Sequence, residues 1–167
     1  MNYARHAEFA IKVAAPPAAV FEHLDDPKRL GGHMEQPSWR TGWSSMRYSM
    51  DRGLGRVLGS RVTLAGRVLG ATLHLEEIVS ERTPPSHKAW ETIGQPRLIV
   101  IGPYRMGFDI DEEGPDSILR IFIDYEVPSW RPAWLGRRLA DWYAKWCIER
   151  MAQDAAACFS RAIRPER

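Results

Sequence analysis

From His6 to Ala14, Phe9, Ile11 and Val13 alternate with Glu8 and Lys12, a period of two that predicts a first strand. Pro16-Pro17 then opens a short helix with Val20, Phe21 and Leu24 on one face, and Asp25-Asp26-Pro27 ends it. A second helical turn, from Pro27 to about Leu30, breaks at Gly31-Gly32, and Glu35 to Gly42 reads as a loop. From Ser44 the period returns to two and stays there almost to Pro128. Met46, Tyr48 and Met50 alternate with Arg47, Ser49 and Asp51; after a turn at Gly53-Leu54-Gly55, Val62, Leu64 and Gly66 do the same. Ala71 to Arg82 has a mixed pattern, with Leu73, Leu75 and Val79 set against His74, Glu76 and Ser80. Lys88 to Ile93 is short and holds Trp90. Arg97 to Asp111 reads as one strand with Leu98, Val100, Tyr104, Met106, Phe108 and Ile110 on one face. Glu113-Gly114-Pro115 turns the chain into a last strand whose Leu119, Ile121, Ile123 and Tyr125 face inward. Short connections throughout predict an antiparallel meander of hairpins.

From about Pro128 to Pro165 the period becomes helical. Leu135, Leu139, Trp142, Tyr143, Trp146, Cys147, Met151, Ala155, Cys158 and Phe159 recur at steps of three and four. Arg137, Asp141, Lys145, Glu149 and Gln153 form a polar ladder on the other side. Steps of four outrun the helical repeat, so both stripes wind around the axis, which suits a long helix lying on a curved surface. At roughly 1.5 Å per residue it would span about 45–50 Å. Its only available partner is the sheet. The expected architecture is therefore α+β: a seven-stranded curved antiparallel sheet around a long C-terminal helix, with two short helices closing one end. Trp142, Tyr143, Trp146, Cys147 and Met151 are expected to face the sheet, and Arg137, Asp141, Lys145 and Glu149 to face water.

A chain of 167 residues suits one domain spanning 1–167. The net charge of +2, with basic residues scattered, leaves no nucleic-acid footprint. Cys147 and Cys158 lie too far apart along one helix for a disulfide, which points to a reducing, cytoplasmic compartment. No run of apolar residues is long enough for a membrane span.

Three local motifs resemble the helix-grip superfamily (SRPBCC or START-like, including Bet v 1-like ligand binders and polyketide cyclase/dehydrase proteins). The first is the strand-to-helix entry Phe9-Ala-Ile-Lys-Val-Ala-Ala-Pro-Pro-Ala-Ala-Val-Phe-Glu-His-Leu24. The second is the exit Glu81-Arg-Thr-Pro-Pro85 before a Trp-bearing strand, and the third is the long helix after a strand ending in Pro128. The resemblance implies a deep cavity between sheet and long helix that takes small molecules. It does not by itself imply a reaction, because one fold hosts many functions.

Within that frame the chemistry is sparse. Gly53, Gly55 and Gly59 fall near a dinucleotide fingerprint, but strands lie on both sides where the fingerprint needs a helix, so a hairpin turn is expected. His6, His23, His33, His74 and His87 show no metal-ligand spacing, and no nucleophile elbow is present. No metal and no cofactor are expected. The residues expected to line the cavity are His33, Met34, Met46, Tyr48, Leu64, Trp90, Val100, Tyr104, Met106, Phe108, Ile121, Tyr125, Tyr143 and Cys147. Methionines among the apolar ones would adapt to ligand shape, and the tyrosines, Trp90 and His33 would fix orientation. His74 and Glu76 share a strand face and read as a solvated pair, and Arg150 and Asp154 as a structural ion pair. The expected function is a carrier or sensor of a mostly apolar small molecule such as a lipid, polyketide or aromatic compound. A cyclase/dehydrase-like enzyme, with His33 or Tyr104 as general acid or base, is the alternative. A second alternative is partner binding through Trp130 to Arg138, whose Trp and Arg content leaves transient membrane contact open.

Overall fold

A computed structural model of the chain describes residues 3–30, 43–68, 71–98, 100–127 and 133–162. Strand β1 (Arg5–Val13) leads into helices α1 (Pro17–Leu24) and α2 (Pro27–Leu30). Six strands follow: β2 (Trp43–Met50), β3 (Arg61–Val68), β4 (Ala71–Thr83), β5 (His87–Arg97), β6 (Tyr104–Glu113) and β7 (Asp116–Tyr125). Helix α3 (Ala133–Ala162) ends the described chain. All strands are in one antiparallel sheet of order β1-β7-β6-β5-β4-β3-β2, so the meander runs from β2 to β7 and β1 closes on its far side. This is the curved seven-stranded sheet and long helix that the alternation of hydrophobic positions predicts.

The register brings the inward positions together: Ile11 opposite Leu119, Phe108 opposite Ile121, Trp90 opposite Met106, Glu77 opposite Thr92 and Leu64 opposite Leu75. The main core joins Val20, Phe21 and Leu24 of α1 to the inner face of β5–β7 and to α3. A second apolar cluster, Val62, Leu64, Leu73 and Leu75 with Met50 and Leu98, lies on β3 and β4, apart from the first.

Two expectations are corrected. Arg97 to Asp111 is not one strand: β5 runs to Arg97 and β6 begins at Tyr104. Pro103 has no N–H to give a ladder, and the Gly102 N–H turns instead to the Glu126 carbonyl at 2.7 Å. The helix face matches the expected one at Cys147 and Met151, which are buried, and at Tyr143 and Trp146, which pack half-buried against the core, but not at Trp142. Trp142 is 62% exposed, whereas Ala140, Ala144, Ile148, Met151, Ala152 and Ala155 form the buried stripe against β1 and β7. Alanines let the helix backbone approach the sheet closely and leave no room for an indole in the seam. Trp142 stacks instead on Trp146, with ring centroids 6.4 Å apart, and the Tyr143 ring also lies against Trp146, at 6.1 Å. Arg137, Lys145 and Glu149 are exposed as expected, but Asp141 is half-buried and accepts hydrogen bonds from Tyr125 and Arg5.

One buried ion pair ties α1 to the sheet. Lys88 Nζ donates to the Asp25 carbonyl (2.9 Å), Asp25 Oδ1 (2.8 Å) and the Gly55 carbonyl (2.7 Å), so all three ammonium protons have partners. Arg82 reaches the same carboxylate through Nε and a terminal nitrogen. Burial raises the pKa of Asp25, but the hydrogen bonds from Arg82 and Lys88 outweigh it and hold the carboxyl below its ordinary range. The Gly55 carbonyl is in place because Gly55 adopts φ 69° in the β2–β3 turn, with its α-carbon against Pro27.

Three variants have expected outcomes in urea unfolding. Ala144→Leu should cost about 1–3 kcal/mol by overpacking the helix–sheet seam, whereas Trp142→Ala should stay within about 0.5 kcal/mol. Asp25→Ala should cost about 3–5 kcal/mol, because it leaves the Lys88 ammonium buried without its anion; a loss below about 1 kcal/mol would show that the pair is not a structural tie.

Candidate functional site

Polar groups gather on the inner face of β4, β5 and β6, where the two apolar clusters adjoin. On β4, Leu73 and Leu75 point inward and are buried, and strand parity carries Glu77 onto the same face before Val79. From β6 the Tyr104 hydroxyl donates a hydrogen bond to Glu77 Oε1. From β5 the Trp90 indole N–H donates to the same carboxyl group. Thr92 holds Tyr104 in place, its Oγ1 accepting from the Tyr104 N–H at 3.0 Å. From α3, Cys147 and Tyr143 lie close enough to interact electrostatically with this group, Cys147 with both Glu77 and Tyr104, and Tyr143 with Tyr104.

The electrostatics follow from burial. Desolvation drives the Glu77 carboxyl up to about 7, against the opposing hydrogen bonds from Tyr104 and Trp90 and the more distant charge of Lys88. Burial, together with the Glu77 charge and hydrogen bond, raises Tyr104 well above an ordinary phenol. Burial and the Glu77 charge push the Cys147 thiol up to about 12, so it remains protonated and is a poor nucleophile. No Lys, Arg or His among the described residues forms an ion pair with Glu77; Lys88 acts only from a distance, its protons taken by Asp25 and Gly55. The carboxyl lies deep in the protein, yet the residue retains accessible surface.

The sequence-expected residues fall into several places. Trp90, Tyr104, Tyr143 and Cys147 come together around Glu77. Leu64 is buried in the neighbouring apolar cluster. Met106, Phe108 and Ile121 are buried in the main core, where Phe108 meets Phe21 and Trp90 edge-on at centroid distances of 5.6 and 6.4 Å. Tyr125 is apart from the site: its hydroxyl donates to Asp141 at 2.6 Å, and burial and that carboxylate push its pKa to about 12. Val100 sits at a half-buried bend between β5 and β6, off the strand face expected for it. His33 and Met34 lie outside the described residues; so do the side chains of Met46 and Tyr48, although Tyr48 pairs with Leu64 in the β2–β3 register. Of the Trp130–Arg138 surface, residues 130–132 lie outside the described residues, and Arg137 and Arg138 are exposed. His74 is exposed and Glu76 pairs with Arg61 at 3.1 Å, consistent with a solvated face. Arg150 and Asp154 form the expected surface pair at 3.2 Å.

Glu77 is the residue that sequence reasoning missed. The signal was present: Leu73, Leu75 and Val79 define an inward face at every second position, and Glu77 is the member of that series left out.

No protein-family model matches the chain, and no curated protein matches it in sequence. Solved structures do match in fold. A START superfamily protein from Mycobacterium smegmatis aligns over 94% of this chain and 98% of its own, with TM-score 0.64 and 15% identity. The Zhui aromatase/cyclase from Streptomyces sp. R1128 aligns over 96% of both chains, with TM-score 0.66 and 16% identity. The protein TTHA0849 from Thermus thermophilus aligns over 96% of this chain and 100% of its own, with TM-score 0.70 and 14% identity. The fold is the START-like, Bet v 1-like helix-grip fold.

The displaced titration of Glu77 has a stability consequence. Its folded pKa is above the unfolded one, so its favourable contribution is present below about pH 4.5 and is lost as pH rises through about 7. Glu77→Gln, which mimics the neutral acid, should therefore gain on the wild type across that window by up to about 3 kcal/mol, then level off. Urea unfolding at pH 4.5, 6 and 8 checks this; a difference that does not change with pH would contradict the buried, unpaired carboxyl.

Proposed function

We propose that the protein binds a mostly apolar small molecule between the sheet and α3, as a carrier or sensor working in a reducing, cytoplasmic compartment. The observation that carries the reading is Glu77. A carboxyl deep inside the protein, without an ion-pair partner among the described residues and on a residue that retains some accessible surface, supports a group that lines an internal space. Apolar walls on either side, from Leu64 and Leu75 to Trp90 and Met106, would hold the body of the ligand, and Glu77 with Tyr104 would orient its polar end. The fold likeness to a START superfamily protein and to an aromatase/cyclase supports a container. Among the described residues, no helix is long and apolar enough to cross a membrane.

A catalytic reading gains one specific support. A carboxyl that titrates near neutrality, beside a phenol, suits general acid–base work, with Glu77 taking the role first assigned to His33.

Ligand binding should raise the melting temperature by linkage. Extraction and mass analysis of the purified protein should recover a bound apolar molecule, and adding it back to stripped protein should restore a rise of several degrees. Cys147→Trp, which enlarges the α3 side chain that interacts with Glu77, should abolish that rise with far-UV circular dichroism unchanged. Binding that persists unaltered in this variant would place the ligand elsewhere.

A further inference from the structure

The Glu77 site lacks one thing that buried carboxylates ordinarily have. Tyr104 and Trp90 each give it a neutral hydrogen bond, and a carboxylate has acceptor capacity for about two more. No described cation pairs with it. The groups facing it are the Trp90 indole N–H and the distant Lys88 ammonium from β5, the Tyr104 phenol from β6, and the Cys147 thiol from α3, with the Tyr143 phenol beyond Tyr104. Elsewhere this protein completes its buried charges: Asp25 has both Lys88 and Arg82. Buried ions are normally paired, and one that is not either takes up a proton or waits for a partner of opposite charge.

We propose that the Glu77 site takes a protonated amine carried on an apolar body. The ammonium would occupy the free acceptor positions of the Glu77 carboxylate, beside the Trp90 and Tyr104 donors. The apolar part would lie along Leu75 and Leu64. This inference rests on the ligand-binding reading above and narrows it to a chemical class. The opposite polarity is disfavoured by the same residues. A carboxylic acid or phosphate would meet Glu77 with no lysine or arginine among the described residues paired to it to separate the charges. A neutral hydroxyl can also hydrogen-bond to Glu77 but gains no attraction of opposite charge.

The test uses matched pairs: 2-phenylethylamine against 2-phenylethanol, and octylamine against octan-1-ol, titrated calorimetrically into the stripped protein at pH 6.0 and 8.5. Alkyl ammonium groups stay charged over this range, whereas Glu77 passes from about one-tenth ionised to almost fully ionised. The amines should bind at least tenfold tighter than the alcohols at pH 8.5, and their affinity should fall roughly tenfold at pH 6.0. The alcohols should change little with pH. Glu77→Gln should remove both the amine preference and its pH dependence while still binding the alcohols; should that variant fail to fold, the wild-type pH profile decides alone. Alcohols binding as tightly as amines, or amine affinity flat with pH, would overturn the amine inference and leave the ligand-binding reading standing. If neither series binds and the extracted protein carries no apolar molecule, both readings fall together.

Discussion

The close seam between α3 and the β1–β7 side of the sheet sets where everything else can be. Ala140, Ala144 and Ala152 are fully buried there, and residues this small bring the helix backbone down onto the strands. A helix fastened tightly at one side of a curved sheet stands away from the other side. The inner faces of β3 and β4 carry their own apolar cluster, and beside it Glu77 of β4 meets Trp90 and Tyr104 of the main core. The Asp25–Lys88–Arg82 pair secures the far end by locking α1 and the β2–β3 turn to β4 and β5. The inner face of β4 to β6, in the middle of the sheet, carries the polar residues.

What the middle holds is an electrostatic tension. Two neutral donors are enough to keep the Glu77 carboxyl in place but not enough to keep it charged, so burial shifts its titration to about 7. The contrast with Asp25 is instructive, because both are buried and only Asp25 has cations within reach. The same surroundings keep Cys147 protonated, which argues against thiolate chemistry and for a role in lining the site.

Much of the fold could be read in the sequence because alternation is a robust signal: each inward position of β6 and β7, from Tyr104 to Ile110 and Leu119 to Tyr125, was given by period two. Element limits were less legible where proline intervenes, and Pro103 divided what looked like one strand. On the helix, Cys147 and Met151 are legible as buried, but Trp142 is not legible as exposed, because hydrophobicity favours large aromatics whereas close packing favours alanines such as Ala144. The candidate site was legible in part. Trp90, Tyr104, Tyr143 and Cys147 were found as polar-tipped residues on apolar faces. Glu77 was not, since a lone glutamate in a strand ordinarily marks the solvent side and only its parity with Leu73, Leu75 and Val79 says otherwise. Its ionisation depends on what is absent around it in three dimensions, which no spacing along the chain reveals.

The account stands or falls on the state of one carboxyl group. A carbon-13 NMR titration of the Glu77 side-chain carboxyl, with and without a bound apolar ligand, observes it directly. A midpoint near 7 in the free protein that moves when the ligand binds is the result expected. A midpoint near the ordinary glutamate value of about 4.3, indifferent to ligand, would contradict it.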